Sequence, residues 1–367
     1  MQHEPDRSIH EDASVPTVGP PRPCRLRITL SSNPNAALDP LRRTRGNQAN
    51  RKKHSVTQAS LKSVLPTAGI WAVLAVGTLC AAVAIPAFRD VENISNIARQ
   101  SAVLGILAIG QTFVIVAGMV DLSVGMAAGL VVVLTCALGG GDPAAAAPLA
   151  GAMLAGGIAL GLWNGYLIQR LRVHSVIFTF GMLSILQGVI LTYSDISIGT
   201  PPPQLSDVAN GSVLGIPAAA LVLALAALAG HAVLVRTRFG HHLMAAGGSA
   251  LSAERSGVNV RRVRTLAFAL SGASAGVAGL LLAGRLGTGY PLAGATLELD
   301  AVVAVVLGGT SLAGGRGSIP NSVAGVLLLT LISNVLNLLG ISSFVQIFIK
   351  GATVVLAMLA NQIGQDR

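Results

Sequence analysis

The sequence predicts an all-α polytopic membrane protein of about ten transmembrane helices, some short or broken, behind a disordered N-terminal tail. Three observations predict it. Only 11% of the 367 residues are charged, against about 25% in soluble domains. Hydrophobic residues make up 52% and the mean hydropathy is +0.68. From residue 65 onward, apolar runs near the length of a bilayer crossing follow one another almost without pause. Aromatics are scarce at 4%, but there are 43 glycines. Small residues let helices approach closely in lipid, where packing drives their association.

Residues 1–62 differ in kind. Pro, Ser, Asn and Arg dominate, with no apolar period, so the segment buries too little to offset its ordering entropy. It reads as a disordered basic cytoplasmic tail. Arg42, Arg43, Arg45, Arg51, Lys52 and Lys53 cluster ahead of the first span, where they set orientation and meet anionic lipid. Residues 63–367 form the membrane domain, with spans expected near 65–87, 101–119, 122–139, 148–168, 176–193, 216–235, 265–283, 299–312, 319–339 and 344–361. The third and eighth are short, as broken or partial crossings are.

Charge orients these spans. Arg170 and Arg172, the long polar stretch 236–264, Arg316 and Arg367 all fall on one side. The other side collects 88–100, 139–147, 194–215, 284–298 and 340–343; there Arg89 and Arg99 are balanced by Asp90 and Glu92, Arg285 is the other exception, and 139–147 and 194–215 hold no Lys or Arg. The positive-inside rule then puts both termini in the cytoplasm. The formal charge of +10 follows that loop pattern and so does not indicate nucleic acid. In 194–215, an outside loop, Pro201, Pro202 and Pro203 in a row forbid helix.

The stretch 236–264 carries Arg236, Arg238, Arg255, Arg261, Arg262 and Arg264, with Glu254 as its acid. A polar loop between lipid-bound spans faces water and reads as the docking site of a soluble partner.

Polar groups inside apolar runs are costly in lipid and invite a reason. Asp121, between Gly118 and Gly125, suits an interrupted helix: a pathway wall, a hinge, or a cap on the next helix. Glu298 and Asp300 open an apolar run, where acids at a helix N-terminus suit the dipole. Gly308, Gly309, Gly314, Gly315 and Gly317 then make a flexible or closely packed segment; it lacks the lysine of a phosphate loop. Lys350 lies well inside the last span. Gln111, Asn164, Gln187, Asn334 and Asn337 either bond between helices or face a polar solute. Cys24, Cys80 and Cys136 show no metal or redox spacing. No nucleophile–base constellation, catalytic residue, metal site or cofactor motif is read from the sequence.

Five stretches together resemble the permease subunit of bacterial ABC importers of the ribose/xylose monosaccharide type. They are VDLSVG at 120–125, WNGYLI at 163–168, VHSVIFTFGMLSILQGV at 173–189, TRFGHHLMAAGGSALSAERSGVNV at 237–260, and LELDAVVAVVLGGTSLAGGRGSI at 297–319. The resemblance implies an inner-membrane subunit, in a homodimer or paired with another permease, served by cytoplasmic ATPase subunits and a periplasmic sugar-binding protein. It places Gly240, Ala246, Gly247, Ser256, Gly257 and Asn259 in the loop that couples to the ATPase. It places Asp121, Asn164 and Asp300 at the pathway or its gate; Gln187 and Lys350 are further pathway candidates from the residues themselves, as polar groups inside apolar spans. Two positions depart from the family: Ser249 stands where Asn is usual, and Gln187 where Arg is frequent. The competing reading is an ion-coupled secondary sugar carrier working through Asp121 or Asp300, since such carriers also use broken helices and intramembrane acids.

Overall fold

The computed structural model describes residues 69–342, 344–349 and 351–352. The tail expected over 1–62, and Lys350, lie outside the described residues. The first helix, α1 (Gly69–Ala84), is followed by a 3-10 turn at Pro86–Arg89. Then come α2 (Val91–Val116), α3 (Val124–Gly139), α4 (Ala146–Leu171) and α5 (Ser175–Tyr193). A short α6 (Pro203–Asn210) and a two-stranded hairpin, β1 (Ser212–Val213) with β2 (Ile216–Pro217), lead into α7 (Ala218–Arg236). The chain continues through α8 (Arg238–Gly248), α9 (Ala250–Arg255), α10 (Val260–Leu286), α11 (Leu297–Leu307) and α12 (Ile319–Leu338).

Six of these, α2, α4, α5, α7, α10 and α12, are long and apolar enough to cross a membrane. With α1, α3, α11 and the helical residues after 343, each of the ten expected spans has a helix. The two segments expected to be short are short: α3 has 16 residues and α11 has 11.

Two helices form the centre. Every residue of α2 from Ser101 to Val116 is buried. The helix α10 packs against α4, α2 and α3. Its contact with α4 is backbone on backbone. Gly157, Gly161 and Gly165, one per turn, face Gly272, Phe268 and Thr265, and a Cβ on Gly165 would lie 2.8 Å from the Thr265 Cα. Such small-residue faces let van der Waals packing hold helices together in lipid. The outer faces of α1, α5 and α7 expose Val76, Leu79, Ile177, Ile185, Leu225 and Leu228. Asn93 and Asn334 exchange amide hydrogen bonds at 3.2 and 2.7 Å, tying α2 to α12. That gives Asn334 an interhelical role.

Three expectations are corrected. The stretch 236–264 is not a loop: it holds α8 and α9, and α10 already begins at Val260. Its arginines hide a short amphipathic period in which Gly240, Leu243 and Ala246 face inward. The three prolines do not prevent a helix. Pro203 is its first residue, the position where a missing N–H costs nothing. Finally, α2 starts at Val91 rather than near 101, with Glu92 in its first turn where the helix dipole favours an acid.

Among the described residues, the hairpin is the one pair of strands beside the helices. Leu214 and Gly215, at its tip, both have positive φ, as a tight two-residue hairpin turn requires.

Candidate translocation and coupling sites

The break between α2 and α3 is the best-defined polar site. Gly118 ends α2 at φ 76°, the left-handed conformation that glycine adopts without strain. Its N–H bonds to the Ile115 carbonyl at 2.9 Å, and the Met119 N–H bonds back to Val114 at 3.1 Å. This double bond pattern satisfies carbonyls that a helix end leaves open.

Asp121 follows, only 2% exposed. Its Oδ1 accepts from the Ser123 N–H at 3.0 Å and the Ser123 hydroxyl at 2.6 Å, and its Oδ2 accepts from the Ser271 hydroxyl at 2.8 Å. Asn164, 1% exposed, donates to Ser123 Oγ at 3.0 Å. The structure therefore joins Asp121 and Asn164 through Ser123. The Gln111 amide faces the backbone of Asp121 and, with its oxygen and nitrogen exchanged, donates to the Asp121 carbonyl at 3.3 Å and accepts from its N–H at 3.2 Å. Ser175 and Thr179 of α5 accept from the N–H groups of Val120 and Leu122 at 3.2 and 3.0 Å. Side chains from α2, α4, α5 and α10 thus bond to Val120–Ser123, four of the seven residues of non-helical chain between α2 and α3. Backbone of this kind is tolerated at membrane depth only inside protein or along a cavity.

The other pathway candidates lie apart. Gln187 is half-buried on α5. Asp300 is in the first turn of α11, beyond the cap position held by Thr296, and lines a 110 Å³ cavity with Gln100, Arg285 and Ser333. Glu298, two residues earlier in the same turn, is 7% exposed and lies against Gly125 in the first turn of α3.

The coupling candidates divide into two groups. Gly240, Ala246 and Gly247 turn toward the protein's own interior: a Cβ on Gly240 would strike the Leu234 carbonyl, and Ala246 is fully buried. Gly247 meets Val116 at the end of α2, and Gly315. There the loop between α11 and α12 joins in, because the Gly315 N–H donates to the Val116 carbonyl at 2.9 Å. A Cβ on Gly314 would come within 2.7 Å of the Gly118 Cα. Four glycines therefore bring the end of α8, the α2 break and the α11–α12 loop into backbone contact. Ser256, Gly257 and Asn259 instead shape the turn from α9 into α10. Gly257 adopts φ 84°, and Asn259 caps α10 by accepting from the Arg262 N–H at 3.0 Å. The outward surface is carried by Arg238, His241, His242, Leu251 and Arg255.

Sequence reasoning did not single out Ser123, Ser175, Thr179 or Ser271. One signal existed: Ser175 and Thr179 are four apart, hence on one helix face, inside an apolar run.

Residues 93–358 match the family described as the branched-chain amino acid transport system / permease component. The ribose import permease protein RbsC of Escherichia coli K12 is 36% identical over 281 residues, covering 75% of this chain and 87% of the relative. RbsC of Bacillus subtilis is 38% identical over 285 residues, covering 76% and 87%. The xylose transport system permease protein XylH of E. coli K12 is 31% identical over 345 residues, covering 77% and 87%. No solved structure matches. The five motif stretches, the broken helix at Asp121 and these relatives agree: the chain is a multi-pass membrane protein and belongs to the family of transport-system permease components that includes the ribose and xylose permeases.

Proposed function

We propose that this chain is the membrane-spanning subunit of an ATP-driven importer that carries a monosaccharide or a similar polyhydroxylated solute across the bacterial inner membrane. The family description names branched-chain amino acids, but the relatives at 31–38% identity are named for ribose and xylose. In this reading both termini and α8–α9 face the cytoplasm. Separate ATPase subunits engage α8–α9, and a periplasmic binding protein delivers the solute. A second permease, identical or related, completes the pathway against the exposed face of α5. That face offers Gly181, Ser184 and Gly188, where a neighbouring helix can approach closely.

One observation carries the proposal. The polar element α8–α9 presents Arg238, His242, Leu251 and Arg255 outward, while Gly247 on its inner side touches the α2 break. An ATPase that moves α8 therefore moves the end of α2 and the α11–α12 loop. Asp121, Asn164 and Ser123 act as the hinge of that movement, and Gln187, Asp300 and Lys350 belong to the pathway side.

The test is purification of the full chain from its host in mild detergent. A stoichiometric ATPase is expected with the wild type and lost with Leu251→Glu, a change on an exposed side chain that leaves the fold intact. Solute uptake by the chain alone in liposomes, driven by an ion gradient without ATP, would establish the secondary carrier instead.

A further inference from the structure

A second cavity, about 500 Å³ in volume, opens beside α9. It lies within the range of small-molecule sites. Arg172 and His174 of the α4–α5 turn, Glu254 of α9, and Arg261 and Arg264 of α10 line it. Three guanidinium groups against one carboxylate give it a net charge of +2 with His174 neutral. The positive-inside rule accounts for arginines on this side of the membrane but not for their convergence on one cavity, and a neutral sugar gains little from fixed cations.

Among the described residues, Glu254 is the one carboxylate that acts on these arginines, and its charge falls on Arg264. The Nε of Arg264 is buried with no hydrogen-bond partner among the described residues. Arg172 occupies the left-handed position that ends α4, at φ 55°. Glycine is the usual residue there, and a side chain costs backbone strain. Such a strained residue beside a cavity points to a use for its side chain. The surroundings agree. The first turns of α5 and α10 both border the cavity through Ser175 and Val260. The α5 cap residue His174 supplies no side-chain acceptor to that turn. Helix N-termini and arginine forks are the two features that bind tetrahedral oxyanions.

We propose that this cavity is a phosphate-group site, holding either a soluble phosphate compound or the headgroup phosphate of an acidic lipid. A phosphate there bridges Arg172 to Arg261 and Arg264, and so fastens the α4–α5 turn to α10 beside Ala250 and Glu254 of α9. Its occupancy bears directly on the element that meets the partner.

The test uses the full chain in nanodiscs of zwitterionic phosphatidylcholine, titrated with inorganic phosphate by calorimetry in chloride buffer. ATP, solute and partner subunits are absent, so the result is independent of the transport reading. Saturable binding of one phosphate per chain is expected. Arg264→Gln and Arg172→Gly should each weaken it about tenfold or more, the worth of one charge-assisted hydrogen bond. Arg172→Gly also relieves the left-handed backbone, so its melting temperature is expected to hold or rise. Glu254→Gln should tighten binding, a result no purely structural role produces. No saturable binding to the wild type, or equal binding in both arginine variants, overturns the site. A parallel titration in nanodiscs containing phosphatidylglycerol separates the sources. Loss of phosphate binding there assigns the site to lipid, and unchanged binding assigns it to a soluble compound.

Discussion

The Val116 carbonyl at the end of α2 accepts a hydrogen bond from the Gly315 N–H of the α11–α12 loop at 2.9 Å, and Gly247 of α8 fills the space beside both. Neighbouring Gly248 is different, with its nearest such neighbour, the Gly315 Cα, 4.0 Å from where a Cβ would be. Gly247→Ala is therefore expected to cost about 1–3 kcal/mol through overpacking against backbone, and to abolish uptake. Gly248→Ala should leave both nearly unchanged. Melting temperature in detergent and uptake in reconstituted vesicles check the pair. Equal tolerance at both positions would remove the junction from the mechanism.

Asp121→Asn keeps the shape of the buried carboxylate but replaces one acceptor with a donor. Ser123 and Ser271 donate three hydrogen bonds to the carboxylate. The change is expected to cost about 1–3 kcal/mol for an acceptor lost in a buried site. Uptake by the assembled transporter should persist when proton and sodium gradients are collapsed, in the wild type and the variant alike. Dependence on a gradient that vanishes in Asp121→Asn would instead make this carboxylate an ion carrier.

The α4–α10 contact predicts a periodic pattern of tolerance. Gly161→Val drives a side chain into the backbone at Phe268 and should destabilise by about 1–3 kcal/mol. Gly156 has nothing within 4 Å of an added Cβ. Gly156→Val should shift stability by no more than about 0.5 kcal/mol in the isolated protomer. Thermal unfolding in detergent compares the two.

A second permease on the α5 face is testable by cross-linking. Gly188 has open space around it. With Cys24→Ser and Cys80→Ser removing other reactive thiols, and Cys136 buried, Gly188→Cys should form an oxidised dimer in native membranes. Gly165→Cys, inside the α4–α10 contact, should not. A monomer under oxidation in both would rule out pairing through this face.

The sequence revealed the spans because apolar length is a local property, and the short third and eighth segments became α3, of 16 residues, and α11, of 11. Helicity in α8 was hidden because its inward face uses Gly240 and Ala246, which carry little hydropathy signal. The start of α6 was hidden because proline was read as a breaker, although at Pro203 it begins a helix. The α4–α10 contact had a written signal in Gly157, Gly161 and Gly165 at four-residue spacing. The Asp121 site was only half legible. Its acid stood out against lipid, but its partners Ser123, Thr179 and Ser271 are small hydroxyls, ordinary in any helix until the fold gathers them. The meeting of Gly118, Gly247, Gly314 and Gly315 joins three distant stretches and has no local signature at all.

That meeting of glycines has a mechanical consequence. Backbone in contact with backbone has no rotamers, so a push on α8 reaches the two broken helices without being absorbed by side-chain rearrangement. The linkage is stiff, and its four glycines carry no side chain that a solute could meet. On the proposed function, selectivity for one cargo or another can therefore be rewritten along the pathway while the lever that drives it stays the same.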